Sequence, residues 1–314
     1  EPPGTDWIRG LLQAALGRRA VLRRDTNAYR AVHGENDGLP AVTVDVYSGI
    51  AVVSSYARGA DPLARLCGRL VRRELPLQGV LWKPGSRRRD ESAGPRTLFG
   101  EVPDRVSFQE DGQTIVVSPR WGQKSGSFLD LRGLRRYLRN AGLEGASVLD
   151  LFSYSGTLGA AAELAGASRI WHVDESRAAL DLGAEHHRLD PEKHRFTEAD
   201  VFQWLPALPL EERFDVAIAD PPSMTSRTAQ VPKVLRVYDT LYRKLALHVN
   251  PGGLLVACCC TSRVDRDSFL VTVRRALGKD FKYLSSIPPE PDHPVGFKEA
   301  DYLKILVFRR RPAS

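Results

Sequence analysis

Apolar positions follow two regimes along the chain. Before residue 120 the pattern is mixed, and from residue 127 short apolar runs alternate regularly with amphipathic segments. In the first regime Trp7, Ile8, Leu11, Leu12, Ala15 and Leu16 recur at helical spacing, which predicts an amphipathic helix over residues 6–20. Residues 41–47 and 50–56 are β-rich runs split by Ser48-Gly49, a hairpin signal. Residues 63–75 predict a helix and 80–82 a short strand. Residues 83–96 carry charge, Gly and Pro without an apolar period, and predict an exposed loop. Residues 106–108 and 114–117 flank Asp111-Gly112, a second hairpin.

The second regime predicts helices over 128–140, 157–164, 176–188, 233–248 and 267–277. Between them fall strands at 147–150, 169–173, 194–197, 214–219 and 254–259, with a closing pair at 281–287 and 302–309. Strictly alternating strands and helices demand a parallel sheet covered on both faces. The two adjacent final strands predict an antiparallel edge pair. The expected fold class is α/β, a Rossmann-like sheet with a smaller mixed α/β domain before it. The expected boundaries are a linker helix at 1–24, a central module at 25–118 and the sheet domain at 119–314.

Charge changes this picture in one respect. Of 45 Lys and Arg against 38 Asp and Glu, residues 1–100 hold 16 basic and 10 acidic, so most of the +7 excess sits in the smaller module. Arg72-Arg73 and Arg87-Arg88-Arg89 are its sharpest clusters. A phosphate backbone is the partner this suits; a basic solubilising surface is the plainer reading. The four cysteines are Cys67 and the run Cys258-Cys259-Cys260. Adjacent cysteines build no disulfide framework, so reduced thiols and a cytoplasmic location are expected. No zinc-ligand spacing occurs, and neither a secretory signal nor an 18-residue apolar stretch is found.

Candidate chemistry gathers at strand exits. The strand ending near Asp150 runs into Phe152, Ser153, Tyr154, Ser155 and Gly156, a small-residue turn that lets backbone approach a ligand. Asp174, Asp200 and Asp220 close the next three strands. Glycine is too sparse here for a dinucleotide pyrophosphate, which argues against NAD. A sulfonium nucleoside, S-adenosylmethionine, has no phosphate and suits carboxylates: Asp174 for the ribose hydroxyls, Asp200 for the adenine amino group with Val201 packed on the ring. Ordinary helix caps are the alternative for any one of these acids. Asp220-Pro221-Pro222 fixes a rigid exit against which a planar base can stack, with Met224 beside it. Cys260 follows the fifth strand at the same rim. A thiolate there could add to carbon 6 of a cytosine and make carbon 5 nucleophilic, with Asp220 contacting the base. The bland reading is three small core cysteines.

At these residues the chain resembles the RlmI-like class I methyltransferases that use S-adenosylmethionine, the large-subunit ribosomal RNA cytosine-C5 enzymes. The likeness is carried by residues 27–40, Lys124-Ser-Gly-Ser-Phe-Leu-Asp-Leu-Arg132, Phe152-Ser-Tyr-Ser-Gly156, Asp220-Pro-Pro222, Cys260-Thr261, Asp292-His-Pro294 and Tyr302-Leu-Lys304. It implies that Lys124, Phe128, Asp130 and Arg132 cover the cofactor, and that Cys260 is the nucleophile. It implies S-adenosylhomocysteine as product and RNA as partner, with no metal and no membrane; a homodimer is compatible with it. The family carries an N-terminal PUA-type RNA-binding domain for which this chain has no room. Thr261 stands where the family has Ser. Ser223-Met224-Thr225-Ser226-Arg227 replaces the family's aromatic and Asn-Lys pair, and Ser223 stands where many RNA cytosine enzymes have a second Cys. His293 is expected to be structural. Methylation of another base, a small molecule or a protein, and a non-catalytic binding role, are the competing functions.

Overall fold

The computed structural model describes residues 4–84, 94–120, 126–186 and 189–312. The chain divides into two compact units, Glu1–Arg132 with Glu290–Gly296, and Gly133–Pro289 with Phe297–Ser314.

The first unit is built on a five-stranded sheet of β1 (Ala28–His33), β2 (Val42–Tyr47), β3 (Ile50–Ser55), β4 (Gly79–Pro84) and β5 (Arg96–Gly100), in that order. Neighbours are antiparallel except β3 and β4, whose parallel pairing needs a crossover. Helix α2 (Asp61–Glu74) supplies it, packing on β3 and β4. Both expected hairpins form. Ser48 and Gly49 take φ 44° and 89° between β2 and β3. Asp111 and Gly112 take φ 45° and 81° between β6 (Val106–Glu110) and β7 (Gln113–Val117). Tight two-residue hairpin turns require such positive φ pairs.

Two strands were not legible. β1 reads Ala-Tyr-Arg-Ala-Val-His, with no alternation, because four of its six residues are buried on both faces. β5 is mostly exposed and begins at Arg96, inside the expected loop, so it has no apolar stripe to betray it. Helix α1 (Thr5–Arg18) buries Leu12 and Ala15 fully in the core of this unit, against β1 and α2.

A buried ionic cluster closes the unit. Arg132 has no exposed surface, and its guanidinium meets Asp292 at 3.1 Å, Glu290 at 3.0 Å and Glu110 at 3.6 Å, and donates to the Ala28 carbonyl at 2.9 Å. Asp292 also accepts from the Arg30 backbone N–H at 2.9 Å. Arg19 makes a second buried pair with Asp37 at 2.6 Å.

The second unit is a seven-stranded sheet of β8 (Ser147–Leu151), β9 (Arg169–Asp174), β10 (His194–Glu198), β11 (Phe214–Ala219), β12 (Val249–Cys259), β13 (Phe281–Ile287) and β14 (Lys304–Arg310). Their order is β10-β9-β8-β11-β12-β14-β13. The first five are parallel; β14 runs antiparallel to β12 and to β13, the expected edge pair. Strands β8, β11 and β12 are almost wholly apolar because helices cover both faces. The covering helices are α4 (Thr157–Leu164), α5 (Arg177–His186), the short α6 (Val201–Trp204), α7 (Val231–Ala246) and α8 (Arg266–Leu277). An earlier helix, α3 (Arg132–Arg139), is shorter than the expected 128–140 because Leu129–Leu131 forms a tighter 3₁₀ turn.

Chain direction reverses between β8 and β11: the chain moves outward through β9 and β10, then returns to the other side of β8. Their carboxyl ends therefore diverge into a crevice, where open α/β sheets bind ligands.

Candidate active site

The loop after β8 forms one wall of the crevice. Phe152, Tyr154 and Gly156 take φ 58°, 53° and 73°, alternating with ordinary residues. Left-handed backbone is unfavourable for Phe and Tyr by roughly 1–2 kcal/mol each, and such strain persists only where surroundings hold it. The holding contacts are visible. Asp174 Oδ2 accepts the Tyr154 N–H at 2.8 Å, and Ser153 N–H donates to the Val173 carbonyl at 3.2 Å. Gly156 must be glycine twice over, for its φ and because a Cβ there would stand 2.9 Å from His172 Cε1. Behind the loop, Gly183 of α5 lets that helix touch backbone: a Cβ would lie 2.5 Å from the Ser155 carbonyl oxygen.

The acids do not all share the rim. Asp150 is fully buried, accepting from Gly159 N–H at 3.2 Å and meeting His172 Nδ1 at 3.1 Å. His172 Nε2 then meets His194 Nδ1 at 2.8 Å, and His194 Nε2 meets Glu163 at 3.0 Å. Asp150 thus anchors α4 beneath the loop, and the rim set is Asp174, Asp200 and Asp220. Asp174 also accepts from Ser176 N–H at 2.9 Å. Asp200 does cap α6, through the Phe202 N–H at 2.9 Å, yet it remains exposed, with acceptor capacity to spare. Val201 is buried beneath it, and the Phe202 ring lies 5.3 Å from Phe152, leaving two aromatic faces at this end.

Asp220 follows β11 directly, and its N–H donates to the Leu151 carbonyl at 3.3 Å, across the switch point. Pro221, Pro222 and Met224 lead away from it. The Cys260 thiol donates to the Pro221 carbonyl at 3.3 Å. Cys258 and Cys259 are fully buried, and burial pushes both thiols up in pKa, so they stay protonated core residues. Cys260 alone of the run is partly exposed.

Thr261, whose place in the site the sequence did not reveal, ties these two loops together. Its hydroxyl accepts from Met224 N–H at 3.2 Å and contacts Tyr238 OH at 3.3 Å. Its carbonyl accepts from the fully buried Lys304 ammonium at 3.0 Å. Burial lowers the Lys304 pKa and raises that of Tyr238. Only the Cys-Thr and Tyr-Leu-Lys resemblance hinted at this hub.

Four further cofactor residues were expected from the resemblance. Lys124 falls outside the described residues. Phe128, Asp130 and Arg132 belong to the first unit. Arg132 is corrected outright: the carboxylates it holds are Asp292, Glu290 and Glu110, and it has no surface left for a ligand. His293 is likewise buried, bonded to Asp292 at 3.0 Å and packed edge-on against His33 at 5.1 Å. Among the described residues no three metal-ligating side chains converge.

Does the second unit fit S-adenosylmethionine? The rim offers carboxylates for hydroxyl and amino groups, aromatic faces for a purine, and the nearly buried Ser153 hydroxyl, which finds no partner among the described residues. It offers no glycine-rich phosphate cradle. These features fit a cationic nucleoside and define a class I methyltransferase site. The comparisons agree. Residues 78–309 match the S-adenosylmethionine-dependent methyltransferase family, and the chain belongs to it. It is 35% identical to a "Ribosomal RNA large subunit methyltransferase" of Deinococcus radiodurans, over 96% of this chain and 79% of that one. It is 33% identical to "Ribosomal RNA large subunit methyltransferase I" of Shewanella amazonensis, over 96% and 80%. Among solved structures it is similar to a methyltransferase complexed with SAH, at TM-score 0.86 and 26% identity over 97% of this chain and 81% of that one. A SAM-dependent methyltransferase from Streptococcus mutans is similar at TM-score 0.86 and 25% identity, over 98% and 82%. The protein is a SAM-dependent methyltransferase.

Proposed function

We propose that the enzyme methylates carbon 5 of a cytosine in RNA, with large-subunit ribosomal RNA as substrate and Cys260 as nucleophile. The observation that carries this reading is the placement of one partly exposed thiol, preceded by two sealed ones, against the Asp220-Pro221 exit. The names of the relatives support the substrate class.

When bound, S-adenosylmethionine supplies an electrophilic methyl group to a carbon 5 that the thiol has made electron-rich. Asp174 and Asp200 would hold the ribose hydroxyls and adenine amino group, with Phe152 beside the purine. The target cytosine must leave its stack to reach the crevice. Pro221 and Pro222 give it a rigid edge, and Asp220 holds N3 or the exocyclic amine. The Cys260 thiolate adds to carbon 6, and the carbon 5–carbon 6 electron pair shifts onto carbon 5. After methylation a solvent base takes the carbon 5 proton, the released electron pair restores the double bond and the thiolate leaves carbon 6. Thr261 fixes the attacking residue relative to Met224.

Incubating the protein with isotopically labelled SAM and ribosomal RNA from cells lacking the enzyme, then mapping labelled nucleosides by mass spectrometry, tests this. Label in 5-methylcytidine is the expected result. Label confined to another base, to protein or to a metabolite rejects it.

A further inference from the structure

A groove of about 320 Å³ runs between α6 with the turn after it and one face of α7. Its floor is apolar, with Val201, Leu205, Pro206, Val237 and Leu241. Lys233, Arg236 and Lys244 line it, at positions that share a helical face with Val237 and Leu241. No acidic side chain lines the groove. The acid on this helix, Asp239, is already shared by Arg243 and Arg275 at 2.9 Å each. Lys233, Arg236 and Lys244 have no ion-pair partner among the described residues. From Lys233 to Lys244 the stripe is about 16 Å long, the reach of a short run of nucleotides.

At its head the groove takes in Phe202, 40% exposed and in contact with Phe152 of the cofactor loop. The groove is therefore continuous with the rim that holds Asp200. Unpaired cations over an apolar floor with an open aromatic face are what an unpaired nucleic acid strand recognises: charge for phosphates, π-surface for bases. An acidic peptide would match the cations and leave the ring and floor unused.

We propose that this groove is a single-stranded RNA track, in which Lys233, Arg236 and Lys244 hold the phosphates of nucleotides flanking the target base. The proposal rests on the RNA reading above. Its partner is an extended strand rather than a duplex, because its base contact is a ring face, which only an unstacked base can meet.

The test compares the enzyme with K233Q/R236Q/K244Q, glutamine preserving helix propensity. K279Q/K282Q/K298Q, which removes the same amount of exposed charge elsewhere, controls for net charge. Binding of a single-stranded oligoribonucleotide is followed by fluorescence anisotropy against salt, with methyl-transfer kinetics and SAM calorimetry alongside. Three lost phosphate contacts lower the salt slope by about 2, at roughly 0.7 each. The RNA KM rises on the order of tenfold, while kcat and SAM affinity hold. An unchanged slope and KM in the triple variant, or the same change in the control, overturns the groove. If the wild-type enzyme neither binds nor methylates RNA, it is the substrate reading that fails. A slope change with duplex RNA alone also overturns the track.

Discussion

Cys260 and Pro221 are joined by a 3.3 Å hydrogen bond from thiol to carbonyl, between the exits of neighbouring strands. In the proposed mechanism the proton that leaves the sulfur is the one directed at the Pro221 carbonyl.

Cys260→Ala should therefore abolish methyl transfer by at least about 10³-fold, as loss of a covalent nucleophile does. SAM binding by calorimetry and the melting temperature should stay unchanged. Substantial turnover by this variant would exclude the covalent route while leaving the family assignment intact.

Thr261→Val keeps shape and removes the hydroxyl that Met224 N–H and Tyr238 OH use. Stranding two buried groups costs about 1–3 kcal/mol. kcat should fall more than the SAM affinity, because the two loops lose register, and Thr261→Ser should restore it. Steady-state kinetics of the pair decide between hub and bystander.

Gly183→Ala would press a methyl group 2.5 Å from the Ser155 carbonyl. Overpacking of about 1–3 kcal/mol at the back of the loop should weaken SAM binding by an order of magnitude or so, measurable by calorimetry. Undiminished affinity would show that α5 does not set the loop.

Arg132→Met leaves Asp292, Glu290 and Glu110 buried without their cation. Breaking such a cluster costs about 3–5 kcal/mol, read as a lowered urea midpoint. The Arg132 and His293 partners hold the Asp292 carboxyl below its ordinary range despite burial. A depressed carboxyl contributes stability above its unfolded pKa of about 3.9, and that contribution is lost as pH falls through the folded value.

His33 gives a second pH signature. Burial and the neighbouring His293 push its imidazole down to about 3. The unfolded chain takes up a proton near pH 6.5 and the folded one does not. Stability of the first unit should therefore decline as pH falls from about 6.5 toward 3, by at most about 1.4 kcal/mol per pH unit. His33→Phe, which keeps the edge contact with His293, should flatten urea midpoints between pH 7 and 5; an identical slope would rule His33 out.

Much of the second unit could be read from the chain because its strands are buried on both faces and its acids fall at their ends. The antiparallel edge, the Phe152–Gly156 loop and the Asp174, Asp200 and Asp220 rim follow from that rhythm. Asp150 shows the limit of that rhythm: a strand-end acid looks alike whether it faces a crevice or a buried histidine, and only His172 across β9 decides it. Arg132 misled for the same reason, since its carboxylate partners Glu290 and Asp292 lie 158 and 160 residues away. Thr261 carried no signal beyond its neighbour Cys260. Part of the basic excess is spent internally, as with Arg72 over the Phe99 ring at 3.2 Å and Arg30 on Asp45 at 2.7 Å.

The return of Glu290–Gly296 to the first unit has a consequence during synthesis. Until Asp292 leaves the ribosome, Arg132 and the Arg30 amide lack the carboxylate that completes them. The N-terminal part of the polypeptide therefore waits, unfinished, while nearly the whole remainder is translated. Cutting the gene after residue 132 should yield not a minimal domain but a fragment prone to misfolding.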